Sequence, residues 1–203
     1  MQFDYIYGVP IFKFDLANFE LHRQELIDKA TYLLNANKYQ NKSNMGGFHS
    51  GDIGELDWNS FAAGNWLMNN IQSSIKQASV ELKYSTVPRM TNSWYVINRA
   101  KSSEWNLPHT HPNSILSGAF YVQCSESTTD SGTFIGIPNN SSVDSLSEHY
   151  TDKIRWPGQL IFCPPVEGQL ILFPSSLIHM VSPHMADIDR IMISFNTTNL
   201  KDD

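Results

Sequence analysis

The chain has 203 residues, 41% hydrophobic and 17% charged, with a formal net charge of -6. That length suits one well-buried core over residues 1–203 rather than two full domains, and the acidic balance argues against a broad nucleic-acid or anionic-membrane footprint. The hydrophobic share excludes a disordered chain, and no stretch reaches the roughly 18 apolar residues of a membrane span, so a soluble, cytoplasmic protein is expected, with no nucleic acid or membrane as partner.

Residues 5–14, YIYGVPIFKF, read as a β-strand with a bend at Gly8-Val9-Pro10. A helix is predicted from about Asn18 to Asn35, where Leu21, Leu26, Ala30 and Leu33-Leu34 are spaced for one apolar face. Lys38 to Asp57, with GGFHSGDIG at its centre, is polar and rich in glycine and reads as a loop. From Ser60 to about Leu82 the spacing of Phe61, Leu67, Ile71, Ile75, Ala78 and Leu82 predicts a second helix. Residues 1–85 are thus a helical N-terminal part.

After Pro88 the pattern changes to short β runs separated by turns, as in a sandwich or barrel. The runs are Met90 to Arg99, Ile115 to Gln123, Gly132 to Ile137, Gln159 to Cys163, Gln169 to Phe173, Ile178 to Ser182 and Arg190 to Thr197. No repeat or low-complexity linker intervenes, so the expected architecture is mainly β with flanking helices. It is a double-stranded β-helix, or jelly roll, over residues 86–200 with the two N-terminal helices packed outside. Cys124 and Cys163 lie in apolar settings without CxxC spacing and read as two buried thiols.

The chemistry concentrates in PHTHPNSILSGAFYV. His109 and His111 are two residues apart, so both point to one face of an extended segment and can reach one metal ion. A third imidazole, His179, stands in GQLILFPSSLIHMVSPH, where a strand, a tight turn and a return strand aim it inward. A pair plus a distant third ligand is the pattern of a facial triad that leaves positions open for substrate and oxygen. Eleven residues on, Arg190 shares a strand face with Met192, Ser194 and Asn196, which places a planar cation deep in the barrel. Such a group matches a carboxylate. Tyr121, on the face of Ser117 and Ala119, can hydrogen-bond the same carboxylate, although an aromatic in a strand also suits plain core packing. Arg190 has its own bland alternative, a surface charge after the turn Asp187-Ile188-Asp189. Asn113 and Asn196 are read as near the substrate.

HTHPNSILSGAFYV, the His179 segment and RIMISFN resemble the 2-oxoglutarate and Fe(II)-dependent oxygenase family of bacterial and phage proteins, itself similar to prolyl hydroxylases. The resemblance is strongest over Met90 to Thr197. It implies a dioxygenase that uses Fe(II), 2-oxoglutarate and O2, hydroxylates a peptidyl residue or small metabolite, and releases succinate and CO2. It further implies iron on His109, His111 and His179, and 2-oxoglutarate on Tyr121 and Arg190, with Ser194 beside it. Relatives place aspartate where this chain has His111. Either the third imidazole is the ligand, or a carboxylate such as Asp130, Asp144 or Glu148 completes the shell.

Two rival readings remain at this level. A cupin-type metalloenzyme that does not use 2-oxoglutarate shares the HxH pair, but Pro112 to Gly118 lacks the glutamate such proteins carry, and Arg190 has no role there. A non-catalytic jelly-roll binding module is the other. The residues do not set the oligomeric state, and a homodimer is compatible with them. Of the remaining histidines, His49 lies in a glycine-rich loop and reads as a turn residue, with a loop covering the site as the alternative, His184 reads as exposed, and His22 and His149 show no pattern; Trp94 and Trp105 read as core or rim aromatics.

Overall fold

In the computed structural model, residues 1–6, 9–36, 39–125, 132–136 and 160–198 are described. The described strands are β1 Gln2–Ile6, β2 Val9–Asp15, β3 Asn44–Met45, β4 Phe48–His49, β5 Arg89–Asn98, β6 Trp105–His109, β7 Leu116–Gln123, β8 Thr133–Gly136, β9 Leu160–Cys163, β10 Gln169–Pro174, β11 His179–Val181 and β12 Arg190–Thr198. The helices are α1 Arg23–Asn35, α2 Glu55–Trp58 and α3 Ala62–Glu81. A seven-stranded sheet runs β1-β2-β10-β7-β12-β5-β4, and a five-stranded sheet runs β3-β6-β11-β8-β9. All neighbours pair antiparallel. From β5 onward the chain passes back and forth between the sheets, which is the expected jelly roll.

Strand alternation explains how both faces of the larger sheet are used. On one face Phe120, Val122, Ile193, Phe195, Tyr95 and Ile97 join Leu26, Ala30 and Leu33 of α1 and Leu67, Ile71 and Ile75 of α3 in one apolar cluster. Burying each such side chain is worth roughly 1.5–3 kcal/mol, so the helices cover this face firmly. The opposite face, with Trp94, Val96, Ala119, Tyr121 and Met192, looks toward the smaller sheet and forms a second cluster with Ile135 and Val181.

Polar contacts lock the helices in place. The Ala63 backbone N–H at the start of α3 donates to the Glu25 carboxylate of α1 (2.7 Å), which satisfies a donor every helix N-terminus leaves open. Tyr95 donates from its hydroxyl to the Leu26 carbonyl (3.2 Å), and Trp58 Nε1 donates to Ser93 Oγ (2.7 Å).

Several expectations are corrected. Residues 5–14 are not one bent strand: β1 and β2 form an antiparallel pair with Phe3 opposite Phe12, and Gly8 lies outside the described residues. The stretch read as a loop at 38–57 contains β3, β4 and α2, so residues 1–85 supply four strands as well as helices. The extended segment expected at His109 is strand β6, which starts as early as Trp105 despite Pro108 and pairs with both β3 and β11. The expected strands from 132 and to 163 correspond to β8 and β9, while Ile137 and Gln159 lie outside the described residues. Cys124 and Cys163 are buried free thiols, as expected. No described helix is long and apolar enough to cross a membrane.

Candidate metal centre

Backbone register brings the first two imidazoles together. His109, the last residue of β6, is the cross-strand partner of His179, the first of β11. His111 follows two residues later on the extended continuation of β6, where its backbone N–H donates to the Ser175 carbonyl (3.1 Å). The ring centroids stand 4.3 Å apart for His109 and His179, 4.9 Å for His111 and His179, and 5.0 Å for His109 and His111. One nitrogen from each ring lies within 4.8 Å of the others.

The protonation of this cluster suits a divalent cation. Burial pushes His179 down to about 3 and His111 down to about 4, and lowers His109 as well, so all three rings are neutral at physiological pH. Nδ1 of His109 donates to the Leu107 carbonyl (2.6 Å) and Nδ1 of His179 donates to the Leu177 carbonyl (3.1 Å). Both Nε2 lone pairs are therefore turned to the centre, the arrangement that orients metal-bound imidazoles. Ser43 Oγ lies 3.4 Å from Nε2 of His109. Among the described residues no carboxylate joins the three histidines. Asp130, Asp144 and Glu148, the alternative ligands, lie outside the described residues.

These rings open onto a cavity of about 570 Å³ whose wall includes Trp94, Val96, Ser117, Thr133, Phe173, Met192, Ser194 and Asn196. Lys42, Asp52 and Asn92 also reach it. Met192, Ser194 and Asn196 line it in alternation along β12, as strand geometry predicts. Arg190 continues that face one step past Met192 and is 0% exposed. Its Nη2 donates to Asn98 Oδ1 across the β12–β5 pair (2.5 Å). Burial lowers its pKa to about 10, which leaves it cationic at neutral pH. The surface-charge alternative for Arg190 is thereby removed.

Tyr121 is also fully buried, and its hydroxyl lies 2.8 Å from Thr133 Oγ1 on the cavity wall. Burial raises its pKa above the ordinary phenol value. Tyr121 pairs with Met192 across β7 and β12 where a register shift bends the ladder. Tyr121 and Arg190 thus sit together behind Thr133 and Met192 instead of on the wall itself. Asn113 occupies the turn after His111, exposed and with φ of 66°, a conformation asparagine tolerates.

Two residues differ from their sequence reading. His49 is no loose turn residue: it lies buried on β4, stacks on Trp94 at 5.3 Å and lines the cavity. Burial pushes it down to about 4, and its Nδ1 accepts from the Gly51 N–H (3.0 Å). His184, expected to be exposed, is 0% exposed and its Nε2 donates to the Ile188 carbonyl (2.7 Å). No periodic signal marks either one, because their burial comes from strands far away in sequence.

Comparison with known proteins follows the same line. Residues 92–196 match the family described as Putative 2OG-Fe(II) oxygenase. A search of curated proteins finds no match. Among solved structures, a prolyl-4-hydroxylase of Pseudomonas putida superposes with a TM-score of 0.66 at 12% identity, covering 94% of this chain and 92% of that one. A Trichoplax adhaerens prolyl hydroxylase in complex with a peptide fragment gives 0.62 at 13% identity, covering 93% and 83%. HygX of Streptomyces hygroscopicus, with nickel and 2-oxoglutarate bound, gives 0.60 at 9% identity, covering 94% and 83%. At such identities these likenesses establish the fold. The family match spans more than half the chain and takes in all three histidines, Tyr121 and Arg190, and by it the chain belongs to the 2OG-Fe(II) oxygenase family, whose enzymes use Fe(II), 2-oxoglutarate and O2.

Proposed function

We propose that this oxygenase hydroxylates a C–H bond of a peptidyl residue or small metabolite, with His109, His111 and His179 as the iron ligands and Arg190 as the anchor for the far carboxylate of 2-oxoglutarate. The observation that carries the reading is the gathering of three neutral imidazoles at one cavity, with the fully buried Arg190 guanidinium one step past the cavity-lining Met192 on β12. Iron with 2-oxoglutarate and O2 supplies the oxidising power, and the co-substrate leaves as succinate and CO2 while the substrate gains a hydroxyl group.

The chain's own residues bind, orient and exclude water. Arg190, held by Asn98, offers a planar fork that fixes a dicarboxylate by one end, and Tyr121 supplies a hydroxyl beside it. Ser194 lies on the wall between the cation and the imidazoles along β12. Phe173, Val181 and Met192 make the inner wall apolar, which strengthens the charge contacts formed there. Trp94 packs beside both His49 and His111 and limits how far His111 can turn. The substrate enters past Lys42, Asp52 and Asn92, so a polar group on it is accommodated at the mouth.

Anaerobic addition of Fe(II) and 2-oxoglutarate to the purified protein should give a weak metal-to-ligand visible band. Admission of air should then release succinate. Iron uptake without any response to 2-oxoglutarate would overturn the reading.

A further inference from the structure

The three histidines are not equally prepared for a metal. His109 and His179 each donate from Nδ1 to a backbone carbonyl, so each already holds a bare Nε2. His111 is arranged the other way. Its Nε2 lies 3.1 Å from Nε2 of His179, and its Nδ1 lies 3.4 Å from Nδ2 of Asn196. Since Nε2 of His179 is an acceptor, His111 must carry its proton on Nε2, which leaves Nδ1 bare to accept from the Asn196 amide. The rest of the chain has a matching direction: Asn196 Oδ1 accepts from Ser117 Oγ (2.7 Å), and Ser117 Oγ lies 2.8 Å from Ser175 Oγ. Asn196, Ser117 and Ser175 are 5%, 2% and 0% exposed, so water does not easily substitute for any of these partners.

We infer that Asn196 is a positioning residue whose side-chain amide reverses when the centre takes a metal, setting the tautomer of His111 through the buried relay Asn196–Ser117–Ser175. This rests on the reading of His111 as an iron ligand. For Nε2 of His111 to bind a cation, its proton must move to Nδ1, where Asn196 now presents Nδ2, a donor against a donor. Rotation of the amide by half a turn removes the conflict. Nδ1–H of His111 then donates to Asn196 Oδ1, Nδ2 of Asn196 donates to Ser117 Oγ, and Ser117 donates to Ser175. The ring remains neutral and no net proton is exchanged. Asparagine serves here because it offers a donor and an acceptor on one rotatable group. A carboxylate would hold the metal-ready tautomer permanently.

Ring-nitrogen NMR of the histidines tests this directly, since a protonated and a bare nitrogen have distinct shifts. In metal-free protein, His111 should show a protonated Nε2 and a bare Nδ1, and Zn(II) should exchange them while His109 and His179 keep Nδ1–H. Co(II) titrations supply the second readout. Asn196→Leu should bind Co(II) about 10- to 100-fold more weakly, the usual loss when an outer partner of a ligand is removed. Asn196→Asp should bind at least as tightly as the parent and show Nδ1–H on His111 before any metal is added. A metal-free parent with Nδ1–H already on His111, or an Asn196→Leu protein within twofold of the parent, overturns the inference with the metal centre intact. A parent protein that takes up neither Co(II) nor Zn(II) overturns the metal reading and this inference together. If Asn196→Leu fails to fold, the comparison of metal-free and Zn(II)-bound parent decides the matter.

Discussion

His109 and His179 face each other as a cross-strand pair of β6 and β11, so the centre is begun by backbone register rather than by the reach of side chains. Opposed residues in an antiparallel pair lie about 4.5–5.5 Å apart at Cβ, which brings two imidazole rings within the span of a single cation. Only His111 is brought in by chain continuation, and it is the ring for which a change of tautomer is inferred.

Truncation of the most buried ligand gives the first expectation. His179→Ala should retain the fold, judged by circular dichroism, and lose Fe(II) or Co(II) binding by more than about 100-fold, since a ligand weighs more than its outer partners. Isothermal titration with Co(II) is the check, and unchanged affinity would exclude His179 from the centre.

A substitution at Arg190 tests the proposed co-substrate anchor apart from the metal ligands. In Arg190→Met, 2-oxoglutarate binding to the Co(II)-loaded protein should weaken by about 100-fold, equivalent to about 3 kcal/mol, while Co(II) affinity stays within a few-fold. Some stability is lost too, because Asn98 Oδ1 forfeits its guanidinium partner at roughly 1–3 kcal/mol. Equal weakening of metal and co-substrate would contradict the assigned division.

The pH dependence has a definite sign. Burial holds His49 and His111 at about 4 and His179 at about 3 in the folded protein, whereas unfolded imidazoles titrate near 6.5. The unfolded chain therefore binds more protons below that value. Their contribution is complete above pH about 6.5 and is lost as the pH falls toward about 4 and then 3. Thermal melts of chelator-treated protein should show a falling Tm across that window, and His49→Phe should flatten part of the slope. A Tm that does not move between pH 7 and 4.5 would refute the assignment.

Gly118 lies on β7 where a Cβ would stand 2.4 Å from the Phe195 ring and 2.8 Å from the Ile171 carbonyl. Gly118→Ala forces the ladder apart or turns Phe195 in the helix-facing core. A loss of roughly 1–3 kcal/mol is expected, read by urea denaturation; an unchanged stability would show that Phe195 has room to turn.

The parts of this protein legible in its sequence are those in which local pattern and final position coincide. α1 and α3 follow the spacing of Leu26, Ala30, Leu33, Leu67, Ile71 and Ile75, all of which are buried, whereas Leu21, in a turn ahead of α1, and Leu34 are exposed and do not belong to the buried face. The strands after Pro88 agree with their apolar runs to within about one residue at most ends because both faces of the sheet are covered. The spacing of His109 and His111 and the turn ahead of His179 single out the three rings that the structure gathers. Hidden from such reading are the two-residue strands β3 and β4, too short to show a period, and the early start of β6, disguised by Pro108. His49 and His184 are buried where local pattern suggests turn or surface positions, because what buries them is non-local. The hydrogen bond between Asn196 and His111 likewise joins residues 85 positions apart, and no local signal announces it.

One division within the cavity carries a consequence for how such a protein diversifies. The family match begins at residue 92, and the imidazoles and Arg190 all follow it, whereas Lys42, Ser43, His49 and Asp52 reach the same cavity from an earlier stretch. Part of the cavity lining is thus supplied by a stretch ahead of the segment that carries the imidazoles and Arg190. On the proposed reading, changes at Lys42 and Asp52 alter what the cavity admits without replacing a residue that would hold iron or 2-oxoglutarate.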